Sequence, residues 1–571
     1  MNNQGTLKTR LVTVASVIRR HIVTILAVLA AIAAFGICFY YTVWPAEGYF
    51  HSDCTDSIYW ANASYESGDI LDENFRYAAI LPFSASLWLV PLVSIFGVTM
   101  RAHVIGMVIF LILFTAAIYF MCRSMKWSIA STCAMISALL LMLSGSDKLR
   151  EIMWGHVIYY SLGLLILFVG IGLALRFMNQ LDAEKPSIPL MAVYAALLLL
   201  LFVGNGTNGF QLIVIATVPM LAGIVAERLF DGRTKLISRK NLSPAATVVL
   251  TGLATVVGMA LLKLIQGDKI ANYTSVYSTL NATSAWMDNL LKLPNSYFTL
   301  IGASIPASAK LFEITTIMSL IKFVGGVTIL AVPVIMLFRY KHLHERGTKI
   351  LLWAHIATTA VILFGFVIGK LSNANWRLVP MVGTAIAATV AGIRELLAYR
   401  QELRSEDEAR RSYAAVSVRV GALLLIICIL FCAVNFREIK KMPADYGQSN
   451  TLHLLADALE ERGLEYGYAT FWYSQAITLI SDSRVKVRET LVNNSAVITD
   501  YYQSSRLWYE DQEGVDEYFI LLTAGEYEKV RYSAYWMGAT REHLVDSFEP
   551  LDGFHVFVFN KNVIQKGEFN G

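Results

Sequence analysis

Two carboxylates three residues apart open the most chemically loaded stretch of the chain, His51-Ser52-Asp53-Cys54-Thr55-Asp56. At that spacing both fall on one side of a helical turn. A carboxylate held just above a bilayer can take a proton from an acceptor hydroxyl, so Asp53 and Asp56 are candidate catalytic groups. A second role fits the same spacing, that of capping a helix over Ile58–Glu66, for which Asp is well suited. A second polar segment, Ser144 to His156, gathers Asp147, Lys148, Arg150, Glu151 and the imidazole of His156 beside Trp154. His156 joins the catalytic candidates. Such groups at the end of an apolar run also serve simply to meet lipid headgroups.

Four cations carry the other sign. Lys263, Lys322, Lys370 and Arg377 stand at the ends of four consecutive apolar runs. Ionisable groups at membrane depth are costly and tend to face a cavity or a partner. Clustered there, they suit a phosphate or pyrophosphate, and Arg can grip two oxygens at once. Snorkelling to headgroups is the alternative for each one taken singly.

The elements that must position these groups are apolar helices. Of 571 residues, 56% are hydrophobic and 16% charged, with a mean hydropathy of +0.52. Soluble domains carry about a quarter charged residues. The excess is concentrated in runs long enough to cross a hydrocarbon layer about 30 Å thick. About eleven spans are expected, with cores at 22–43, 103–121, 128–143, 157–175, 188–203, 210–226, 245–262, 323–338, 350–369, 378–393 and 417–434. The run 22–39 is long enough to stay as a span rather than be removed as a signal. Segment 81–98 is short between its polar ends and carries Pro91 in its middle, so it reads as an interfacial helix.

With that choice the basic residues sort to one side. Lys8, Arg10, Arg19 and Arg20 precede the first span, and Arg123, Lys126, Arg176 and Lys185 follow on later inner loops. Arg228, Arg233, Lys235, Arg239 and Lys240 form the most basic inner loop, then come Arg339, Lys341, Arg346 and Lys349, and Arg394, Arg400, Arg404, Arg410 and Arg411 complete the series. The positive-inside rule then places the N-terminus inside and the C-terminus outside. Two large outer loops are expected, at about 43–102 and 263–322, the second with Tyr273, Tyr277, Trp286 and Tyr297 forming an interfacial face. Residues 435–571 regain charge and shorten their apolar runs, which predicts a small extracytoplasmic α/β domain after a membrane domain over 1–434. A helix is expected over Leu452–Arg462, with strands at Tyr466–Phe471, Lys486–Glu489, Tyr518–Leu522 and Phe554–Phe559. Gly204–Gly209 reads as a tight outer turn.

Several function classes drop out. A net charge of +4 is too small to suggest a nucleic-acid partner. The six cysteines form neither a metal-ligand spacing nor a disulfide framework. Gly-rich phosphate loops and the HExxH zinc motif are absent from useful contexts.

Asp53 followed by Tyr59-Trp60-Ala61-Asn62-Ala63 and by Glu66-Ser67-Gly68-Asp69 resembles the opening of the GT-C class of membrane glycosyltransferases, in the branch of aminoarabinose transferases and protein mannosyltransferases. The interfacial segment from Leu81-Pro82 to Phe96-Gly97, the run Asn375-Trp376-Arg377-Leu378-Val379-Pro380 and the tail segment Gly467-Tyr468-Ala469-Thr470-Phe471-Trp472 are similar to parts of the same plan. The resemblance implies a polyprenyl-phosphate-linked sugar as donor, inversion at the sugar carbon, Asp53 as base with Asp56 as second choice, and a bacterial plasma membrane location. The partners it implies are the lipid-linked donor, membrane lipids and a cell-envelope glycan, lipid or protein as acceptor. Where the family often has an acidic residue opening the fourth span this chain has His156, which leaves use of a divalent metal open. Rival readings are a transporter or flippase of an anionic lipid or lipid-linked glycan, with ionisable groups deep in the midplane, and a non-catalytic membrane assembly protein whose tail does the work.

Overall fold

A computed structural model describes residues 3–230, 241–266, 279–445, 447–448 and 450–569, with side chains from residue 21 onward. Arg233, Lys235, Arg239, Lys240, Tyr273 and Tyr277, and the side chains of Lys8, Arg10, Arg19 and Arg20, lie outside the described set. The protein is a multi-pass helical membrane protein. Among the described residues ten helices are long and apolar enough to cross a bilayer. An eleventh, Ile129–Met142, joins them if it is counted with Asp147–Gly155, from which it is bent by 118°. These positions follow the expected spans one for one.

Segment 81–98 forms an 11-residue helix, Ser86–Phe96, with Pro91 inside it and Gly97 as its stop at φ 72°. At about 1.5 Å per residue it is far too short to cross. The following span, Met100–Ser124, is started by Thr99, whose side chain accepts from the Ala102 amide. The expected turn over Gly204–Gly209 is corrected: the helix Ile188–Thr207 runs through most of it, and only Asn208-Gly209 turns. The glycines there serve packing instead. Gly206 and Gly258 let two spans touch backbone to backbone, and a Cβ on Gly258 would stand 2.1 Å from the Val203 carbonyl oxygen. The second large outer segment contains a further helix, Trp286–Leu300, that the sequence reading did not resolve.

The last span, Glu408–Lys440, continues six residues past the end of its apolar run and delivers the chain to the tail. The tail is a six-stranded mixed sheet in the order Val497–Thr499, Lys486–Val492, Tyr466–Thr470, Tyr518–Thr523, Phe554–Phe559, Leu544–Phe548. Its three central strands are parallel and the outer ones antiparallel. The four expected strands are present. The two missed ones are a three-residue edge and the largely exposed edge Leu544–Phe548, where no buried face imposes an alternating pattern. The tail does not stand apart. Phe75–Arg76 of the first outer loop pairs antiparallel with Ser504–Ser505 of the tail, and Ser483 Oγ donates to the Val98 carbonyl at 2.6 Å.

Candidate active site

Asp53 sits in a short 3-10 turn, Ser52–Thr55, and Asp56 begins the helix Asp56–Ser67. Neither caps that helix: the N-cap is Thr55, and no side chain bonds to the free amides. The capping role considered from the spacing is therefore not the one they fill. Both carboxyls instead line a small hollow of about 80 Å³ together with Glu151, His156, Trp376, Arg377 and Tyr502.

The segment from Ser144 to His156 divides its charges between two tasks. Arg150 turns away from the hollow, donates to the Ser144 carbonyl at 2.8 Å and pairs with Asp147, which stabilises the loop. Lys148 and Glu151 turn toward the site. Lys148 Nζ lies 2.5 Å from Glu151 Oε2 and 4.8 Å from the centre of the Trp376 ring, so it ties this loop to the segment that carries Arg377. His51 lies between the acids, its Nδ1 3.9 Å from Asp53 and its Nε2 3.2 Å from Glu151. His156 is buried, in extended backbone three residues ahead of the span Tyr159–Leu181. Burial lowers its basicity and outweighs the opposite pull of Glu151 and Asp53. Asp56 is shifted the other way. Burial pushes its carboxyl well above the usual range, the charge of Asp53 adds to the rise, and Gln503 opposes it.

His51, Asp53 and Glu151 each offer one ligand atom, and these atoms lie within 4.8 Å of one another. A divalent ion accepts such donors, but the Lys148 ammonium already stands against Glu151 as the local cation. An ion would have to displace it.

The four end-of-span cations separate. Arg377 is 3% exposed, and its guanidinium donates to the Lys370 carbonyl at 2.9 Å. Lys370 and Arg377 both wall a cavity of about 1000 Å³ that is otherwise mostly apolar, lined by Phe210, Leu262, Val361, Phe364 and Leu371 among others. Lys322 is placed differently: it is buried, bonded to the Gly145 carbonyl at 2.6 Å and paired with Glu438 at 2.5 Å. That pairing makes it a strut between the span Ile314–Phe338 and the end of the last span, and it lines neither the large cavity nor the acidic hollow. Lys263 is exposed and lines neither hollow. The large cavity and the acidic hollow share Ala79, Tyr159, Tyr160 and Arg377, so they adjoin. A third hollow of about 380 Å³, apolar and without a cation in its wall, adjoins the acidic one at Trp60 and Ala79.

Sequence reasoning missed the tail's share of the site. Tyr502 lines the acidic hollow. Gln503 is fully buried, with its Oε1 accepting from Trp60 Nε1 at 2.5 Å and from the Ala78 amide at 3.2 Å. Gln475 accepts from Thr55 Oγ1 at 3.2 Å, and Ser52 Oγ donates to the Phe471 carbonyl at 2.5 Å. No local motif marks these tail residues. The one hint is the unusual richness of 501–509 in aromatic and hydroxyl side chains.

No protein-family model matches the sequence, and no curated protein matches it. Solved structures do. ArnT from Cupriavidus metallidurans, solved bound to undecaprenyl phosphate, superposes with a TM-score of 0.52 at 11% identity over 94% of this chain and 98% of that one. The oligosaccharyltransferase AglB from Archaeoglobus fulgidus, in complex with an inhibitory peptide and a dolichol-phosphate, aligns at 0.44 and 10% identity over 95% of this chain and 75% of that one. Near-complete two-way coverage of ArnT, spans and tail together, shows that this chain has the GT-C fold.

Proposed function

We propose that the protein transfers a sugar from a polyprenyl-phosphate carrier to a hydroxyl-bearing cell-envelope acceptor at the extracytoplasmic face of a bacterial plasma membrane. The observation that carries this reading is Arg377, which belongs at once to the large apolar cavity and to the acidic hollow. A polyprenyl chain suits the first, a reacting hydroxyl suits the second, and the guanidinium at their junction suits the phosphate between them. The ArnT structure of the same fold holds undecaprenyl phosphate, which supports a carrier of that class.

In this reading Asp53 takes the proton of the acceptor hydroxyl. The oxygen attacks the sugar carbon from the side opposite the carrier, the bond from that carbon to the phosphate oxygen breaks, and the electron pair leaves with the phosphate. The phosphate gains a negative charge as it departs, and Arg377 with Lys370 meets that charge. Asp56, raised by burial and by its neighbour, keeps its proton more readily, so the base role falls to Asp53. The tail and the first outer loop enclose the acceptor side.

The test is mass spectrometry of lipid-linked sugars and envelope glycans with and without the gene, alongside binding of undecaprenyl phosphate to the purified protein. Accumulation of one sugar-phosphate lipid on deletion is expected. Unchanged lipid pools together with no binding would reject the proposal.

A further inference from the structure

We infer that Gln503, a residue of the C-terminal domain, is a positioning residue for the Asp56 carboxyl, so that the tail builds part of the reaction pocket. This rests on the reading that Asp56 belongs to a transfer site. Gln503 stands with φ 55°, in the left-handed region that a non-glycine residue enters at a cost. Its surroundings hold it there. Its carbonyl accepts from Gln475 Nε2 at 2.5 Å, and the next two residues form the strand pair with Phe75–Arg76.

The side chain is used at both ends. Oε1 accepts from the Trp60 indole and the Ala78 amide, two residues that wall the acidic hollow. Those two donors fix which way the amide points, so Nε2 is directed at what remains. Nε2 itself makes no hydrogen bond among the described residues, and Asp56, one helical turn before Trp60, is the carboxyl beside it, whose acidity Gln503 raises against the effect of burial. A fully buried amide nitrogen reserved in this way is costly unless it serves the group it faces. The other acids near Asp56 are Asp53 on the preceding turn and Glu489 on the tail strand Lys486–Val492. Neither offers it a positive charge, so the Gln503 amide is the neutral donor that keeps the carboxyl in one orientation. Asp56 then presents a fixed oxygen to an acceptor hydroxyl beside Asp53.

The experiment uses the full-length protein in lipid nanodiscs. Gln503→Leu removes both ends of the amide. Gln503→Glu keeps an acceptor for Trp60 and Ala78 and puts a carboxyl oxygen in place of the amide donor toward Asp56. The infrared carboxyl stretch of Asp56 is identified as the band lost in Asp56→Asn. Both Gln503 variants are expected to move that band while binding of undecaprenyl phosphate stays within about twofold, since Gln503 does not line the large cavity. With the donor sugar in hand, kcat is expected to fall about tenfold or more in Gln503→Glu with KM little changed, a loss non-additive with Asp56→Asn. An unmoved band in Gln503→Glu overturns the inference whatever the enzyme's activity. A wild-type protein that transfers no sugar, but whose Asp56 band moves, overturns the transferase reading and leaves the positioning role standing.

Discussion

The guanidinium of Arg377 donates to the backbone carbonyl of Lys370 at 2.9 Å, and both residues wall the same apolar cavity. The bond holds a buried guanidinium at the cavity's end. Replacement of Arg377 by Gln is expected to weaken undecaprenyl phosphate binding by about 10- to 100-fold, the scale of one charged hydrogen-bonding contact. Arg377→Lys is expected to recover only part, since an ammonium lacks the planar fork. Titration of the purified variants with undecaprenyl phosphate measures both.

Asp53 is 38% exposed at its side chain and caps nothing, so its replacement leaves the fold alone. Asp53→Asn is expected to lower the transfer rate about 100- to 10,000-fold, as loss of a general base does. Its melting temperature and donor binding are expected to match the wild type. Near-normal turnover in this variant would remove Asp53 from the mechanism.

Lys322 and Glu438 predict the opposite pattern. Lys322→Met leaves Glu438 without its partner and is expected to destabilise the protein by roughly 2–3 kcal/mol, below the usual cost of breaking a buried pair because Glu438 is 29% exposed. Donor affinity is expected to be unchanged. Adding Glu438→Gln is expected to restore part of the stability, which thermal melting in detergent reads directly.

Glu489 makes stability depend on pH. Burial, the neighbouring Asp500 and Asp56 raise its carboxyl well above the ordinary range. The folded state therefore holds a proton that the unfolded chain releases at lower pH, and stability falls as pH rises from the ordinary carboxylate range toward the raised value. Glu489→Gln is expected to flatten that fall. Melting curves of wild type and variant across the range compare the slopes.

The Lys148 ammonium against Glu151 predicts how the site responds to chelation. Transfer activity is expected to survive EDTA, while Lys148→Met is expected to lower activity and to make it respond to added divalent ion at His51, Asp53 and Glu151. Loss of wild-type activity in EDTA, restored by metal, would reverse this.

The spans were legible because the bilayer imposes a local requirement. Twenty or so apolar residues in a row satisfy it wherever they occur, and Pro91 with polar flanks was enough to keep 81–98 out of the span count. Asp53, Asp56, Glu151 and His156 were legible as candidates because their types are rare beside apolar runs. Which cations serve the cavity was not legible. Lys322 and Arg377 look alike in sequence, each at the end of a span, yet one is turned toward Glu438 and the other toward the hollow. Each helical residue advances the side chain by about 100°, so a register fixed by packing elsewhere decides what the charge meets.

The sequence by itself determined a membrane-embedded chain with its acids and cations gathered at helix ends, since hydropathy and charge act over a few neighbouring residues. Only the tertiary structure decided that Gln503, 447 positions beyond Asp56, bonds to Trp60 one helical turn from it. That contact depends on the strand pairing of Phe75–Arg76 with Ser504–Ser505, a long-range register that no local pattern encodes.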